Sequence, residues 1–335
     1  TLATDRESVK LFYTGSSWVS KQQETERETG VRGQVSGYVS GGDQQPSADL
    51  TEIQKFPFAT DSNTSDVGEL AVGVTQASGQ SSTTHGYSSG GNVPPTVNTI
   101  QKFPFAVDTN ATDSADLTRS HRFMSPSHSE TFGYNQGGYG NPGDGSQNQV
   151  DKFPFANDSN AIDVGDLDRT RHNQSTSPTS SESFGYAQGG GGSPGNNYFT
   201  NILRVDFATD ANSVDVGNIT VARQRMTGHS SPTHGYGAGG FTPPFNNTNI
   251  IDKFPFASEA DSTDVADLST PVAESGSGQS SSQSGYVSGA RSNPPAAPDN
   301  TFLDTIQKFP FASDTNGSDV GTLAGTRNAA SGQQH

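Results

Sequence analysis

The sequence contains no cysteine, and this absence removes several kinds of chemistry at once. Without a thiol, the chain has no disulfide bond, no thiolate metal ligand and no cysteine nucleophile. Cysteine usage therefore gives no information on the redox compartment.

Basic residues are also scarce. The 335 residues include 19 Lys and Arg against 35 Asp and Glu, which gives a formal net charge of -16. Because binding to phosphates needs clustered Lys and Arg, we expect no nucleic-acid partner. Such acidity suits solubility or cation binding. No apolar run approaches the roughly 18 residues of a membrane helix, so we expect no membrane insertion.

Apolar residues make up only 29% of the chain, beside 39 Gly and 19 Pro. This is too lean for one large core and too rich in turn formers for long helices, so many short strands are the natural alternative. A mean hydropathy of -0.67 is also typical of disorder. Disordered chains lack aromatics, however, whereas here 19 Phe and 9 Tyr fall at fixed places in a repeat, which predicts a packed fold.

The phrase Lys-Phe-Pro-Phe-Ala recurs about every 50 residues, which is the period of one four-stranded propeller blade. Its copies begin at Lys55, Lys102, Lys152, Lys253 and Lys308, with a drifted copy at Arg204. We therefore predict an all-β chain: one β-propeller domain over residues 1–335, with six or seven four-stranded blades. The first copy (1–42) is degenerate and the last (299–335) is partial.

One repeat divides into three segments of strand length, which we call phrases: Gly79 to Gly91, Thr99 to Ala106 and Asp113 to Leu117. The first ends in Gly-Tyr-x-x-Gly-Gly, and its glycine doublet allows positive φ and close backbone approach. In the second, Pro104 has no N–H to donate. This strand is therefore an outer one, or the proline occupies a non-bonded position.

The number of blades depends on how the first copy is counted. Six Gly-Tyr phrases and seven Phe-containing phrases, counting Leu11-Phe12-Tyr13, favour seven blades with the termini sharing one. Six blades with an extra N-terminal strand pair is the alternative. The last copy stops at Ser331 to His335, where a Gly-Tyr strand should follow, which suggests that missing strands come from another chain.

An acidic turn follows each Phe phrase, and two interpretations remain open. Asp and Asn cap hairpin turns through side-chain hydrogen bonds. Alternating carboxylate and amide oxygens also suit calcium, although the full series of an EF-hand is missing. A variant of the turn occurs at Glu259, Asp261 and Asp264. The candidate ligands are Asp61, Asn63, Asp66, Asp108, Asn110, Asp113, Asp158, Asn160, Asp163, Asp210, Asn212, Asp215, Asp314, Asn316 and Asp319. No other cofactor is expected.

The order of a glycine doublet, an aromatic strand, a hydrophobic residue before a Leu and then an Arg resembles the kelch motif of β-propellers. In one copy these places are Gly137-Gly138, Phe153 and Phe155, Val164 and Leu167, and Arg169. Kelch repeats usually carry Trp where this chain has Val67, Val164, Val216, Val265 and Val320. The resemblance implies a kelch-like propeller.

The wording of the repeat carries a second resemblance. Lys-Phe-Pro-Phe-Ala, then Asp-Val-Gly-x-Leu and His-Gly-Tyr-x-x-Gly-Gly, is similar to repeats in structural proteins of marine tailed phages, including cyanophages. This resemblance implies a virion protein, associated with the tail or capsid, present in multiple copies and contacting other virion proteins or a host-surface glycan. A secreted, extracellular protein is the alternative.

No set of residues indicates catalysis. His85 and His234 precede Gly-Tyr, but Phe132 or Ser36 fills the same place in other copies, so we interpret these histidines as structural. The recurrent tyrosines indicate packing between blades. Kelch-type relatives of galactose oxidase need a cysteine crosslinked to tyrosine at copper, which this chain cannot form. We therefore expect a non-enzyme.

The loops after each Gly-Gly vary most, and several carry aromatic and Asn residues that can stack on sugars and bind their hydroxyls. They begin at Tyr139, Gly191, Phe241 and Arg291. The same loops also suit plain connection, because Gly and Pro dominate them. We expect a structural or adhesive propeller, with a carbohydrate-binding lectin as the alternative.

Overall fold

The computed structural model describes residues 33–44, 48–141, 143–172, 177–192, 197–244, 246–272, 276–292 and 301–335, together with the backbone of two short strands near the N-terminus. These residues form a six-bladed β-propeller of antiparallel sheets without helices. Consequently, no membrane-spanning helix is present in the described ranges.

Each blade runs outward from the propeller axis, and the blades are numbered in chain order. Blade 1 consists of β31 (Ser331–Gln334), β3 (Ser36–Ser40), β6 (Glu52–Pro57) and β7 (Ser65–Glu69). Blade 2 consists of β8 (Ser78–Ser81), β9 (His85–Ser89), β10 (Thr99–Pro104) and β11 (Thr112–Asp116). Blade 3 consists of β12 (Ser125–His128), β13 (Phe132–Gln136), β14 (Gln147–Pro154) and β15 (Ile162–Arg171).

The other three blades repeat this order. Blade 4 consists of the segment 177–180, β16 (Phe184–Gln188), β19 (Asn201–Asp206) and β20 (Val214–Asn218). Its inner segment joins β16 through a bridge between Ser180 and Gly185. Blade 5 consists of β21 (Thr227–Ser230), β22 (His234–Ala238), β24 (Asn246–Pro255) and β25 (Thr263–Val272). Blade 6 consists of β26 (Ser277–Ser280), β27 (Ser284–Ser288), β29 (Thr301–Pro310) and β30 (Ser318–Arg327).

The remaining strands are short. β1 (Leu11–Tyr13) pairs with β2 (Trp18–Ser20) as a separate two-stranded sheet. The loops after the glycine doublets carry β4 (Asp43–Gln44) with β5 (Ala48–Asp49), β17 (Gly191–Gly192) with β18 (Asn197–Tyr198), β23 (Phe241–Thr242) and β28 (Arg291–Ser292). The preference for seven blades is therefore wrong. The Leu11–Tyr13 phrase belongs to an additional strand pair, as the six-blade alternative predicted.

The ring is closed by the pairing of the last strand, β31, with β3. β31 is the inner strand of blade 1 and pairs with β3, with Gly332 opposite Val39. The last strand thus completes the blade that contains β3, whereas the first strand, β1, lies in a separate pair. The suggestion that another chain supplies missing strands is wrong, because Ser331–Gln334 is followed by β3 in space rather than by a further strand in sequence.

The first phrase of the repeat contains two strands rather than one. In blade 2 it folds as the β8–β9 hairpin around a turn at residues 82–84. The Phe phrase, β10, lies third from the axis, so the prediction of an outer strand is wrong. The N–H of Phe105 donates to Thr84 on the β9 side, which turns the nitrogen of Pro104 away from β9. The β11 pairing ends at Lys102, so Pro104 sits at a non-bonded position, as the other interpretation held.

The glycine doublet ends the second strand of each blade, where the backbone comes close to the segment that connects this blade to the next. Gly90 and Gly91 have φ of 62° and 108°, and the N–H of Gly91 donates to the carbonyl of His121. A Cβ on Gly90 would press against that same carbonyl oxygen. Blade 6 has Ala290 at the second place, with φ of 104°, a conformation that is unfavourable for a side chain.

The strand order divides the connections between two faces of the disc. In blade 2, the turn at 82–84 and the acidic turn at 105–111 lie on one face, which we call the acidic face. The loop at 90–98 and the connection to blade 3 at 117–124 lie on the opposite face, which we call the loop face. The variable loops and the acidic turns therefore face in opposite directions.

Candidate functional site

The acidic turns join neighbouring blades on the acidic face. The Lys of each Phe phrase forms an ion pair with the first Asp of the next blade's acidic turn, for example Lys152 with Asp210 at 2.8 Å. In blade 4 the drifted Arg204 pairs with Glu259 instead. Because Lys308 of blade 6 pairs with Asp61 of blade 1, the set closes around the ring. Partly exposed pairs of this kind stabilise a fold by about 0–1 kcal/mol each.

The second polar residue of each turn also bonds to a neighbouring blade. The side-chain oxygen of Asn110 accepts a hydrogen bond from the backbone N–H of Glu69 at 3.1 Å, and that of Asn63 accepts from Thr322 at 3.1 Å. Where blade 5 has Asp261 in place of Asn, its carboxylate accepts from the N–H of Asn218 in the same way. The amide or carboxylate oxygen is thus used by the preceding blade.

The third residue caps its own strand. Asp66 accepts a hydrogen bond from the N–H of Gly68 at 3.2 Å, and Asp163 accepts from Gly165 at 3.2 Å. In the turns of Asp66 and Asp163, each of the three candidate ligands therefore bonds a different protein donor. Among the described residues, no group of three or more His, Cys, Asp or Glu side chains is arranged to hold a metal ion. Calcium binding stays a prediction, whereas turn capping is directly visible.

We expect calcium removal to leave the protein unchanged. A site filled at one hundred times its Kd would add about 2.7 kcal/mol to the free energy of unfolding. Because the turn oxygens already accept protein hydrogen bonds, we expect equal melting temperatures in excess EDTA and in millimolar calcium. Calorimetry in both buffers, with magnesium as the control for general ionic effects, checks this. A calcium-specific rise in melting temperature would show that the turns are cation sites.

Aromatic rings form a second set of links between blades. The Tyr of each Gly-Tyr phrase stacks on the second Phe of the next blade, as Tyr236 does on Phe311 at 4.7 Å between ring centroids. The other pairs are Tyr38 with Phe105, Tyr87 with Phe155, Tyr134 with Phe207, Tyr186 with Phe256 and Tyr286 with Phe58. The prediction that these tyrosines pack the blades together is confirmed.

His85 and His234 lie beside these links at the start of the second strand. The Nδ1 atom of each ring lies 2.8 Å from the Oγ1 atom of the preceding Thr, which fixes the ring. Burial lowers the pKa of His234, and the nearby positive charge of Lys253 lowers it further. The ring is therefore neutral at pH 7 and half-buried at the blade boundary.

The propeller axis is filled by polar side chains. In five of the six blades, the backbone N–H at the end of the inner strand donates to the side-chain oxygen at the same place in the next blade. These hydrogen bonds run from His128 to Ser180, to Ser230, to Ser280, to Gln334 and to Ser81, at 2.9–3.0 Å. All six residues are buried. This axial ring, as we call it, explains how a chain with so few apolar residues packs its centre.

Neither the axial ring nor the buried His229 beside it was predicted from the sequence. His229 occupies the place that Gln80, Gln279 and Gln333 hold in other inner strands, and its ring is fully buried. Its Nδ1 lies 3.0 Å from the carbonyl of Gln279 and its Nε2 lies 2.9 Å from the hydroxyl of Thr227. Burial lowers the pKa of His229 to about 4.

Acid should destabilise the protein partly through His229. Since its folded pKa of about 4 lies below the ordinary value of 6.5, protonation favours the unfolded chain. Stability is complete above pH 6.5 and is lost as the pH falls towards 4, by about 3 kcal/mol for this residue. We expect His229→Gln to remove that part of the pH dependence, because glutamine fills this place in three other blades.

Urea unfolding of the wild type and His229→Gln at neutral pH and at pH 4 measures this effect. His234→Gln is the control, because its ring is only half-buried. An identical loss of stability in the wild type and His229→Gln would contradict the assignment. Burial also lowers the pKa of His121 and His172 to about 4, so the wild type should lose additional stability through them.

Buried arginines on the loop face were also missed. Arg171, Arg223 and Arg327 are almost fully buried, and each stands four residues after a buried Leu or Ile of its blade, namely Leu167, Ile219 and Leu323. Arg223 donates to Asp252 at 2.5 Å and to the carbonyl of Gly239 at 3.0 Å, so it joins blade 4 to blade 5. Arg169, the arginine of the kelch-like pattern, instead pairs with Asp168 on the surface.

Aromatic residues of the variable loops pack against residues of the connections between blades. The guanidinium of Arg122 lies 5.6 Å from the centroid of Tyr139 and donates to the amide oxygen of Gln76 at 3.3 Å. Arg225 lies over Phe123 at 4.7 Å and over Phe241 at 5.8 Å. Most of the loop that begins at Arg291 lies outside the described residues. In the described loops, these aromatic rings are engaged by arginines.

Grooves between blades open on the acidic face. One of them, groove 5/6, has a volume of about 650 Å³. It lies between the turn 231–234 of blade 5, the turn 282–284 of blade 6 and the segment 310–312, with Tyr236 and Lys253 at its side. A smaller groove of about 190 Å³, groove 6/1, uses the equivalent Tyr286 and Lys308 with Phe58 of blade 1. Equivalent residues thus line grooves at two successive blade boundaries.

A comparison with models of known protein families finds no match. No curated protein matches the chain either. The all-strand six-bladed ring is compatible with a kelch-like repeat, and a propeller of this kind is compatible with a role in binding other molecules.

Proposed function

We propose that this chain is a non-enzymatic structural or adhesive propeller that binds other molecules through the outer surfaces of its disc. The observation that carries the proposal is the use of the recurrent polar and aromatic residues. Lysines, acidic turns, tyrosines and inner-strand serines all join one blade to the next. The recurrent residues thus make the contacts that hold neighbouring blades together.

The filled axis supports a non-enzymatic role. Enclosed pockets with a few convergent polar groups are the usual places for small-molecule chemistry. Here the centre of the disc is occupied by the axial ring, whose hydroxyls bond to neighbouring backbone. Binding is left to the loops and the grooves at the surface. We accordingly propose that the chain needs no cofactor.

The proposed setting is a virion, in association with the tail or capsid. It rests on the resemblance of the repeats to those of marine tailed-phage structural proteins. Several copies would contact other virion proteins or a host surface, and an acidic disc suits neither nucleic acid nor membrane insertion. A secreted, extracellular location is the alternative.

Particle purification tests this setting. Particles from the native source are separated on density gradients, washed in high salt, and their proteins are quantified by mass spectrometry. We expect the chain to migrate with the particles at a fixed ratio to the major capsid protein. Recovery only in the particle-free fractions would overturn the virion assignment and leave the secreted alternative.

A carbohydrate-binding lectin is the second candidate, and the grooves favour it. Repeated sites around a ring suit a ligand that itself repeats, because several weak contacts add to high avidity. The sequence placed such sites on the variable loops, whereas the described grooves lie on the opposite, acidic face.

A further inference from the structure

We propose that groove 5/6 binds an uncharged saccharide unit, and that the chain thereby attaches to a neutral polysaccharide. The proposal deepens the lectin candidate and rests on it. It assigns the ligand to the boundary between blades rather than to the variable loops.

The lining of groove 5/6 has the two kinds of surface that a sugar needs. Pro310, Phe311 and Ala312 form an apolar wall. Exposed polar groups face it from the two turns, namely Thr233, Ser282 and Gln283 with the half-buried His234. A sugar ring presents C–H groups on its faces and hydroxyls at its edge, and a volume of about 650 Å³ lies within the range of ligand pockets.

The charges around the groove favour a neutral ligand. Lys253 is held by Asp314 at 2.8 Å, so its ammonium is already neutralised. His234 is neutral at pH 7, because burial and Lys253 both lower its pKa. The surrounding face carries the acidic turns of all six blades, which would repel a polyanion. Hydroxyl groups can bind here without that penalty.

One boundary shows that the wall of the groove accepts a planar ring. Between blades 1 and 2, the imidazole of His335 stacks on Phe105 at 4.9 Å between ring centroids. His335 follows inner strand β31 just as Ser231 follows β21. At groove 5/6, therefore, a small serine stands where the histidine ring stands at the first boundary, beside the equivalent Phe311. We infer that a sugar ring takes that place.

Two neighbouring grooves favour a polymeric ligand over a single sugar. Gln283 lines both groove 5/6 and groove 6/1, so the two grooves are adjacent along the rim of the turns. A polysaccharide chain can contact both, and the second contact strengthens attachment without a new kind of interaction.

Binding to immobilised mannan, dextran and β-glucan, measured by surface plasmon resonance, tests the proposal. Ala312→Trp fills groove 5/6 from an exposed position, and we expect it to weaken binding about tenfold or more. Ala106→Trp is the matched control, because the equivalent alanine lies at the boundary where His335 already stacks. We expect its affinity to stay within about twofold of the wild type. Heparin on the same chip should bind no protein.

Gln283→Ala provides a milder second variant if the tryptophan perturbs folding, which thermal melts would reveal. We expect it to weaken polysaccharide binding while the melting temperature stays the same. The proposal is overturned if none of the three neutral polysaccharides binds, if Ala312→Trp and Ala106→Trp behave alike, or if heparin binds best. Each of these results is independent of particle association, so the virion assignment can hold while the saccharide site fails.

Discussion

Replacing Arg223 by valine should lower the free energy of unfolding by about 4 kcal/mol, because it leaves one partner of a buried ion pair uncompensated. Asp252 would keep only its hydrogen bonds from the backbone and hydroxyl of Thr220. The carbonyl of Gly239 would also lose the guanidinium as its donor, and the carbonyl of Ile250 would keep only the backbone N–H of Gly239. Chemical denaturation measures the loss.

The chain itself supplies the compensating change. At the boundary between blades 1 and 2, the place of Arg223 is taken by Val74 and that of Asp252 by Gln101. The amide oxygen of Gln101 accepts from the N–H of Val72 at 2.9 Å, as Asp252 accepts from Thr220. We therefore expect the double variant Arg223→Val, Asp252→Gln to return to within about 1 kcal/mol of the wild type.

The double-mutant cycle discriminates between two roles for the ion pair. If Arg223 and Asp252 act as a pair that Val and Gln can replace at this blade boundary, the double variant recovers most of the stability that Arg223→Val loses. If the two single losses simply add, the residues act separately and the description of a shared link between blades 4 and 5 is wrong. Asp168→Asn, at an acidic residue that contacts exposed Arg169 as well as Arg171, serves as a comparison with smaller expected cost.

Gly79→Ala should cost about 3 kcal/mol, because the axis has no room for a methyl group. A Cβ on Gly79 would press on the backbone oxygen of Gly332 in the neighbouring inner strand, well inside van der Waals distance. Backbone cannot move aside as a flexible side chain can, so the inner strands of blades 1 and 2 would separate. Denaturation and the melting temperature both report this change.

Gly317→Ala is the matched control for Gly79→Ala. The added carbon would lie at ordinary van der Waals distance, 3.5 Å, from Leu268 and from the carbonyl of Lys308. We expect a change in the free energy of unfolding within about 0.5 kcal/mol. Equal effects of the two alanine variants would mean that the axis is looser than described, and the filled centre would lose its support.

The propeller architecture could be predicted from the sequence because the repeat is its strongest feature. The period of Lys55, Lys102 and Lys152 predicted blades, and the recurrent tyrosines predicted contacts between them. The count failed because Leu11-Phe12-Tyr13 resembles a Phe phrase but forms β1 of a separate strand pair. The composition of a degenerate copy does not show whether that copy forms a blade of the propeller.

The inner strands were not recognised as separate strands, because they lack hydrophobic alternation and were assigned to one phrase with the strand that follows them. A segment such as Ser277–Ser280 is fully buried yet consists of Ser, Gly and Gln, which pattern analysis reads as a loop. The closing strand Ser331–Gln334 has the same character. Their polar groups form hydrogen bonds across blade boundaries. The burial of these strands therefore depends on contacts between residues far apart in sequence, and local periodicity does not reveal it.

The sequence pattern of the acidic turns was compatible with two interpretations, calcium binding and turn capping. Spaced oxygens in Asp108 and Asn110 fit both a cation and a turn. The structure shows that Asp108 pairs with Lys55 and that Asn110 accepts from Glu69, both in the previous blade. No sequence rule reveals that the donors come from about 50 residues away, because that distance reflects the repeat period. The grooves escaped prediction for the same reason.

Hydrogen–deuterium exchange at the axis tests the account most directly. We expect the backbone N–H groups of His128, Ser180, Ser230, Ser280 and Gln334 to be protected to the same extent and to exchange only when the whole propeller unfolds. Rapid exchange at Gln334 with slow exchange at the other four would show that the ring opens at β31. That result would contradict a closed, rigid disc whose binding surfaces lie outside its filled axis.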